Sequence, residues 1–485
     1  MPGELTRTAG LGRSAGSAVA VLLAGSLLGC PGPREEKAAP PARPPASGTG
    51  WSVLLVTIDT LRADHLGAYG YARPTSPHID ALAARGTLFD NAYTYWPKTR
   101  GSFVAMMTGR RSSQSGYSKT HPLLLDANLT LASVLQAAGF DTVAAVDNAN
   151  VAASLGYAKG FRVYQETWED AALRTEMDRA RAITEAGVRF VKSRDGSRPF
   201  FLWLHYVNPH TPYTPPPPFD RKFQGGETGA RLPIVNGLHG GIPHQLAVAG
   251  QERLGYYVAQ YDGEIAAVDV EVGRVVEALR SSPAGAETVV VLTSDHGESL
   301  GEHDYYFDHG ENLFDPSLRI PLIVTVPGSP GGRRSDALAS TLDLLPTILD
   351  AVKVSYPPGL AGHSLLPALD GGRALERSRL FAQNDRNLTA TWDHRFKLVA
   401  TPEGGGARLA LYDRRADTGE TRDVSAARKD ELGEHREALE RYLDREQEEW
   451  ERLREMLSRT SGEERLSADA CERLESLGYV VAGCQ

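Results

Sequence analysis

The chain has 485 residues, 41% of them apolar and 23% charged, with a formal net charge of −9. That length can bury a large core, the composition is that of a globular protein, and the acidic balance excludes a nucleic-acid binder, which needs a basic face. The three cysteines, Cys30, Cys471 and Cys484, exclude a disulfide framework and a CxxC pair, leaving a terminal Cys471–Cys484 bridge open.

Arg7 and Arg13 precede an apolar stretch from Ala18 to Leu28 that is too short to span a bilayer. It ends in Leu27-Leu28-Gly29-Cys30, which resembles the lipobox of bacterial lipoproteins. The resemblance implies that residues 1–29 are a signal peptide, cleaved before Cys30, whose sulfur then carries a diacylglyceryl anchor. A plain secretory signal with an incidental cysteine is the alternative. Residues 30–50 are rich in Pro, Ala and Gly and read as an extended linker. Such a tether places a soluble domain at a membrane of the bacterial cell envelope.

The globular part opens with a buried strand, Trp51 to Ile58, running into Asp59. A short helix is expected over Ile79–Arg85, ended by Gly86, and a strand over Leu88–Tyr93. Thr99 then opens an apolar helix closed by Thr108-Gly109. A threonine there is either an N-cap or a hydroxyl held among the unpaired N–H groups that favour an anion. A helix over Thr130–Ala138 precedes a strand over Thr142–Val146 that reaches Asp147-Asn148. Asn148 is a candidate substrate donor or a turn residue. The strand from Pro199 carries His205 and leads to His210, followed by a Pro- and Gly-rich excursion over 214–250 of the kind that sets substrate choice. Leu254–Leu279 has helical apolar spacing, with Asp262, Glu264 and Asp269 expected on the wet face. Thr288–Leu292 is a second buried strand, followed by Thr293-Ser294-Asp295-His296-Gly297-Glu298. Two strands ending in Asp point to a cation held between strand tips, where open α/β sheets place ligands. His303 and His309 follow in an acidic loop. A helix is expected over Ser340–Val352, then four short strands between Arg379 and Tyr412 forming an antiparallel sheet. Glu431–Leu457 is a charged helix with a solvated face, and Leu474–Val480 is expected to dock back onto the fold.

Asp59 with the following Leu61-Arg62-Ala63-Asp64-His65-Leu66-Gly67-Ala68-Tyr69-Gly70, the helix ending Thr108-Gly109-Arg110, and Ser294-Asp295-His296-Gly297-Glu298 together resemble the sulfatase family of the alkaline phosphatase superfamily. The similarity continues through Leu300-Gly301-Glu302-His303 and Phe307-Asp308-His309-Gly310 to Leu318-Arg319-Ile320-Pro321-Leu322-Ile323, and covers roughly residues 51–370. It implies an α/β fold, an alkaline phosphatase-like α/β/α sandwich with a mostly parallel central sheet. It also implies a small antiparallel α+β subdomain over 371–485. The family's nucleophile lies in a Cys-x-Pro-Ser-Arg motif at the start of the helix ending Thr-Gly-Arg, and Thr99 falls at that position. Threonine cannot become formylglycine, so the implied reaction is hydrolysis of sulfate or phosphate esters by a threonine hydroxyl. Phe103 replaces the family's Arg, leaving Lys98 or Arg100 to supply charge.

The family's paired acids also change, to Asp59-Thr60 and Asp295-His296. Asp59, Thr99, Asp295 and His296 form a mixed set for one divalent ion (Mn, Zn, Mg or Ca), with Mn or Zn favoured over an all-oxygen Ca cage. By the same resemblance His210 is the acid for the leaving oxygen, His309 the counterpart of the family's sulfuryl-binding Lys, and His205 a further substrate contact. The expected partner is a small-molecule, glycan or lipid-linked sulfate or phosphate ester. Two rivals are a phosphoethanolamine- or phosphoglycerol-type transferase of the envelope and a non-catalytic binding lipoprotein of the same fold.

Overall fold

The computed structural model describes residues 50–459, except 122, 126, 226–228 and 370–376. The expected signal peptide, the lipid anchor at Cys30, the linker before residue 50, the Cys471–Cys484 bridge and the docking of Leu474–Val480 lie outside the described residues. None of the described helices is long and apolar enough to cross a membrane.

Eight strands form the main sheet: β1 (Ser52–Ile58), β2 (Thr87–Tyr93), β3 (Asp141–Val146), β4 (Val163–Glu166), β5 (Phe200–Tyr206), β6 (Thr288–Ser294), β7 (Leu322–Thr325) and β8 (Arg333–Ser340). Their order is β8-β2-β7-β6-β1-β5-β3-β4. Only β7 runs antiparallel to its neighbours β2 and β6; the other pairs are parallel. Central strands of such a sheet are covered on both faces, which is why β1 and β6 are near-continuous apolar runs buried along their whole length.

Side chains alternate across a strand, so each central strand feeds two cores. Val53, Leu55, Trp203 and Val291 face one, together with Phe103 and Met106 of α2 (Thr99–Thr108), Leu131 of α3 (Leu131–Ala137) and Leu345 of α6 (Leu344–Ala351). Leu54, Val56, Leu204 and Leu292 face the other, together with Ile79 of α1 (Pro77–Ala83), Ile183 of α4 (Glu176–Lys192) and Ile265 of α5 (Leu254–Arg280). The result is the expected α/β/α sandwich. Helix α2 is buried at all ten of its positions, and Gly109, in the left-handed region at φ 65°, ends it.

The acids of α5 correct an expectation. Asp262, Glu264 and Asp269 are fully buried, not solvated, because loops cover the face that carries them. Asp262 accepts hydrogen bonds from Tyr71 and Arg73 and lies 2.7 Å from His65 Nδ1. Glu264 accepts from Asn208 Nδ2 at 2.5 Å and from the Thr214 N–H at 2.7 Å. Asp269 accepts the N–H groups of His78 and Ile79, capping α1 from another helix.

The C-terminal sheet is antiparallel, in the order β9 (Leu380–Gln383), β10 (Thr389–Trp392), β11 (Phe396–Glu403) and β12 (Gly406–Asp413). Helix α7 (Lys429–Arg459) is less solvated than its charge pattern predicts. Leu439, Tyr442 and Leu453 make a buried seam, and Arg111 pairs with Glu446 and Glu449. In β11, Lys397 is wholly buried, its ammonium 2.5 Å from Asp315 and 2.6 Å from Glu420.

Candidate active site

Ile58 of β1 is in register with Ser294 of β6, so the residues that follow, Asp59 and Asp295, leave adjacent parallel strands side by side. Asp59, Asp295 and His296, all fully buried, present ligand atoms within 4.8 Å of one another. His296 Nε2 is 3.3 Å from Asp295 Oδ2 and 3.7 Å from Asp59 Oδ1. Thr99, at the first turn of α2, brings its hydroxyl 3.3 Å from the same Nε2. The four residues expected to hold a metal therefore converge.

Short hydrogen bonds fix this geometry. His296 Nδ1 donates to the Gly297 carbonyl at 3.1 Å, an oxygen that only accepts, so Nε2 keeps its lone pair toward the carboxylates. Ser294 Oγ accepts the Leu61 N–H at 3.0 Å and donates to the His296 carbonyl at 2.6 Å. Ser102 donates to the Asp295 carbonyl at 2.7 Å, tying α2 to β6. Thr60 sits at φ 54°, a strained conformation for a β-branched residue, with its N–H 3.4 Å from Asp295 Oδ1. Tyr261 of α5 holds it there by donating to the Thr60 carbonyl at 2.7 Å.

The electrostatics suit a cation. Burial, and then the charge of Asp295, push the Asp59 carboxyl well above its usual range. Burial likewise holds His296 below the ordinary imidazole value. Asp59 Oδ1 and Asp295 Oδ2 are buried with no hydrogen-bond partner, a costly arrangement that a bound divalent ion would offset. Two carboxylates, one imidazole with a free lone pair and a hydroxyl fit such an ion by donor chemistry.

Three histidine rings stand in a row beside this cluster. His296 and His309 lie 4.2 Å apart, centre to centre, and His309 and His210 5.2 Å apart. His210 donates from Nδ1 to the Thr211 carbonyl at 2.6 Å, which leaves Nε2 for another partner. Burial, reinforced by His296, keeps His309 well below its ordinary pKa. Lys98, 40% exposed along its side chain, runs against Gly310 beside His309. Arg100 is turned away, donating to Asn150 Oδ1 at 3.0 Å. Of the two cations, Lys98 is the one beside the site.

Asn148 and His205 serve Asp59. Asn148 Nδ2 donates to Asp59 Oδ2 at 2.6 Å, and His205 Nε2 is 3.8 Å from the same oxygen. His205 is fully buried, pushed down to about 4 by that burial, and carries the edge of Phe103 at 4.8 Å. Phe103, at the family's arginine position, thus backs a neutral imidazole. His303 is outside the cluster, stacked on Phe314. Sequence reasoning missed the pinning roles of Ser102, Ser294 and Thr60. The first matches the serine of the Cys-x-Pro-Ser-Arg motif, and the other two flank the strand-tip aspartates Asp59 and Asp295.

The sulfatase family model matches residues 52–354, and a model described as N-sulphoglucosamine sulphohydrolase, C-terminal, matches residues 301–449. A Delta 4,5-hexuronate-2-O-sulfatase of Bacteroides thetaiotaomicron is 25% identical over 450 residues, covering 83% of this chain and 90% of the relative. The N-sulphoglucosamine sulphohydrolase of Homo sapiens is 30% identical over 330 residues, 63% of each chain. Among solved structures, the phosphonate monoester hydrolase of Agrobacterium radiobacter superposes with a TM-score of 0.69 at 22% identity, over 82% of this chain and 96% of that one. The family match over 52–354, with the aspartates at two adjacent strand tips, makes this chain a member of the sulfatase family of the alkaline phosphatase superfamily, an ester hydrolase of the sulfatase type.

Proposed function

We propose that the chain is a metal-dependent hydrolase of sulfate or phosphate esters in which Thr99 replaces formylglycine as the nucleophile. The observation that carries this is the Thr99 hydroxyl 3.3 Å from His296 Nε2, at the edge of the Asp59–Asp295–His296 cluster. Asp59, Asp295, His296 and Thr99 would hold the ion, with Mn or Zn favoured by the mixed donors. A divalent cation bound there supplies Lewis acidity, stabilising negative charge on the hydroxyl and on the transferred group.

The chain's own groups do the rest. The N-terminus of α2 and the Lys98 ammonium favour the anionic group beside Thr99. The Thr99 oxygen gives up its proton to water and forms a bond to sulfur or phosphorus while the bond to the ester oxygen breaks in line with it. His210, braced through Nδ1, gives the proton to that leaving oxygen from Nε2. His309 lines the side of the transferred group. The intermediate is a plain threonine ester, which water clears by attack at sulfur or phosphorus: the bond to the Thr99 oxygen breaks, the water's proton returns to His210, and the Thr99 oxygen is protonated from solvent.

Two of the relatives are named for sulfated sugars, which makes a sulfated sugar one substrate class to test. A panel of aryl sulfate, phosphate monoester, phosphate diester and phosphonate separates sulfur from phosphorus. Thr99→Ala should lower kcat by about 10³-fold or more while leaving metal binding partly intact; full activity in that variant refutes the nucleophile. The lipobox-like stretch supports a lipid anchor at Cys30 and a place in the bacterial cell envelope. Detergent-phase partitioning that persists in Cys30→Ser counts against it.

A further inference from the structure

A cavity of about 180 Å³ lies against the turn that follows His210. Its wall has four sources: the turn that follows His210, Gln245–Val248 of the excursion, Tyr256 and Tyr257 on the first turn of α5, and Phe307. Thr211 in that wall is the residue whose carbonyl braces His210, and Phe307 is two residues from His309. Consecutive Cα atoms are about 3.8 Å apart, so the Cα atoms of these two lining residues lie within about 4–8 Å of those of His210 and His309.

The lining is unlike the metal side of the site. None of the lining residues is charged. Its aromatic rings pack on one another, Tyr257 stacked on Phe307 at 4.7 Å and Tyr213 edge-on to Phe307 at 5.9 Å. The Tyr257 hydroxyl is already engaged, accepting the Val248 N–H and donating to the Gln251 carbonyl, both at 3.1 Å. Thr211, Thr214 and Gln245 add neutral polar groups to a lining that is otherwise mostly aromatic and aliphatic. Lys98, the cation that favours an anion, is not part of it.

Resting on the reading of His210 as the acid, the ester's alcohol half lies on the His210 side of the transferred group. A second sulfate or a carboxylate on that half would lose hydration in this cavity and meet no cation. We infer that the cavity receives the leaving alcohol, and that this alcohol is an uncharged aryl or alkyl group rather than an acidic sugar. The excursion over 214–250 supplies a wall of this subsite and so selects the substrate.

The test separates binding from turnover. Metal-loaded Thr99→Ala protein is titrated with 2-naphthol, followed by naphthol fluorescence, with glucuronate as the charged control. Naphthol is expected to saturate and glucuronate not to bind. Val248, 44% exposed at the rim, tolerates a polar replacement. Val248→Asp should weaken naphthol binding about tenfold, and Tyr256→Ala should do so independently. In active protein, kcat/KM for a naphthyl ester should exceed that for a uronic acid ester of the same acid group by about 100-fold. Naphthol that fails to bind, binding indifferent to both variants, or preference for the uronate ester overturns the assignment. Failure of the Thr99 mechanism would leave naphthol binding intact, whereas failure of this assignment would leave Thr99-dependent turnover intact.

Discussion

Glu264 lies under the turn that carries His210, and its ionisation sets a measurable pH dependence. Its carboxylate joins Asn208 to the Thr214 N–H, closing the turn from both ends. Burial pushes this carboxyl from 4.5 to about 7, against the pull of those two hydrogen bonds. Neighbouring Glu176 rises to about 8 by burial and then by the charge of Glu264, while Arg179 and Asp147 face it as well. A carboxyl whose folded pKa is raised holds its proton in the native state where the unfolded chain has lost it. Its contribution is therefore fully present below about pH 4.5 and is lost as pH rises through about 7. A shift of between two and three pKa units is worth about 3 kcal/mol.

Glu264→Gln removes the charge and keeps the shape. The amide oxygen accepts from Thr214, and the amide N–H reaches Asn208 turned about, whose Oδ1 has no partner in the native arrangement. Urea denaturation, with metal content held constant, should therefore find the variant about 2–3 kcal/mol more stable than the parent near pH 8.5 and nearly equal near pH 5. Glu264→Ala, which strands both donors, should cost about 2–5 kcal/mol at either pH. Parallel curves for parent and Gln variant across that range would refute the reasoning.

Stripping divalent ions with a chelator should lower Tm, by the equivalent of about 4 kcal/mol if the ion was present at 1,000 times its Kd. In chelated protein Asp295→Asn should be more stable than the parent, because it separates two buried like charges. A lower Tm for Asn would contradict the charge argument. Lys397→Met should destabilise the fold by about 3–5 kcal/mol, since Asp315 and Glu420 lose a buried ammonium; a variant that melts with the parent shows the network to be worthless.

Much of the fold was legible because its central strands bear no compromise. β1 and β6 are covered on both faces, so apolar runs mark them, and the residue after each run had to be a strand tip. From that, the meeting of Asp59 with Asp295 followed. β8 was not legible: an edge strand with Arg334 and Asp336 exposed on one face carries no continuous apolar signal, and β4 is short and half exposed. The buried acids of α5 were misplaced for a related reason. Helical periodicity identifies the face toward the sheet, but it does not see loops arriving from residues 65–79 and 208–214 to cover the opposite face. Within the site, residue type and order located Thr99 and His296. The grip of Asn148 on Asp59 depends on where β3 ends relative to β1, with β5 between them, and no spacing encodes that.

The helix bearing Thr99 is buried at every position and meets solvent only slightly, chiefly at Thr99 and Arg100 of its first turn. A group mounted so cannot advance or retreat, and the ester has to be carried to it like work to an anvil. Whatever paces turnover by motion then belongs to the periphery. Changes to the core residues of that helix, such as Phe103 and Met106, should register first as protein that fails to accumulate, and only afterwards as slow chemistry.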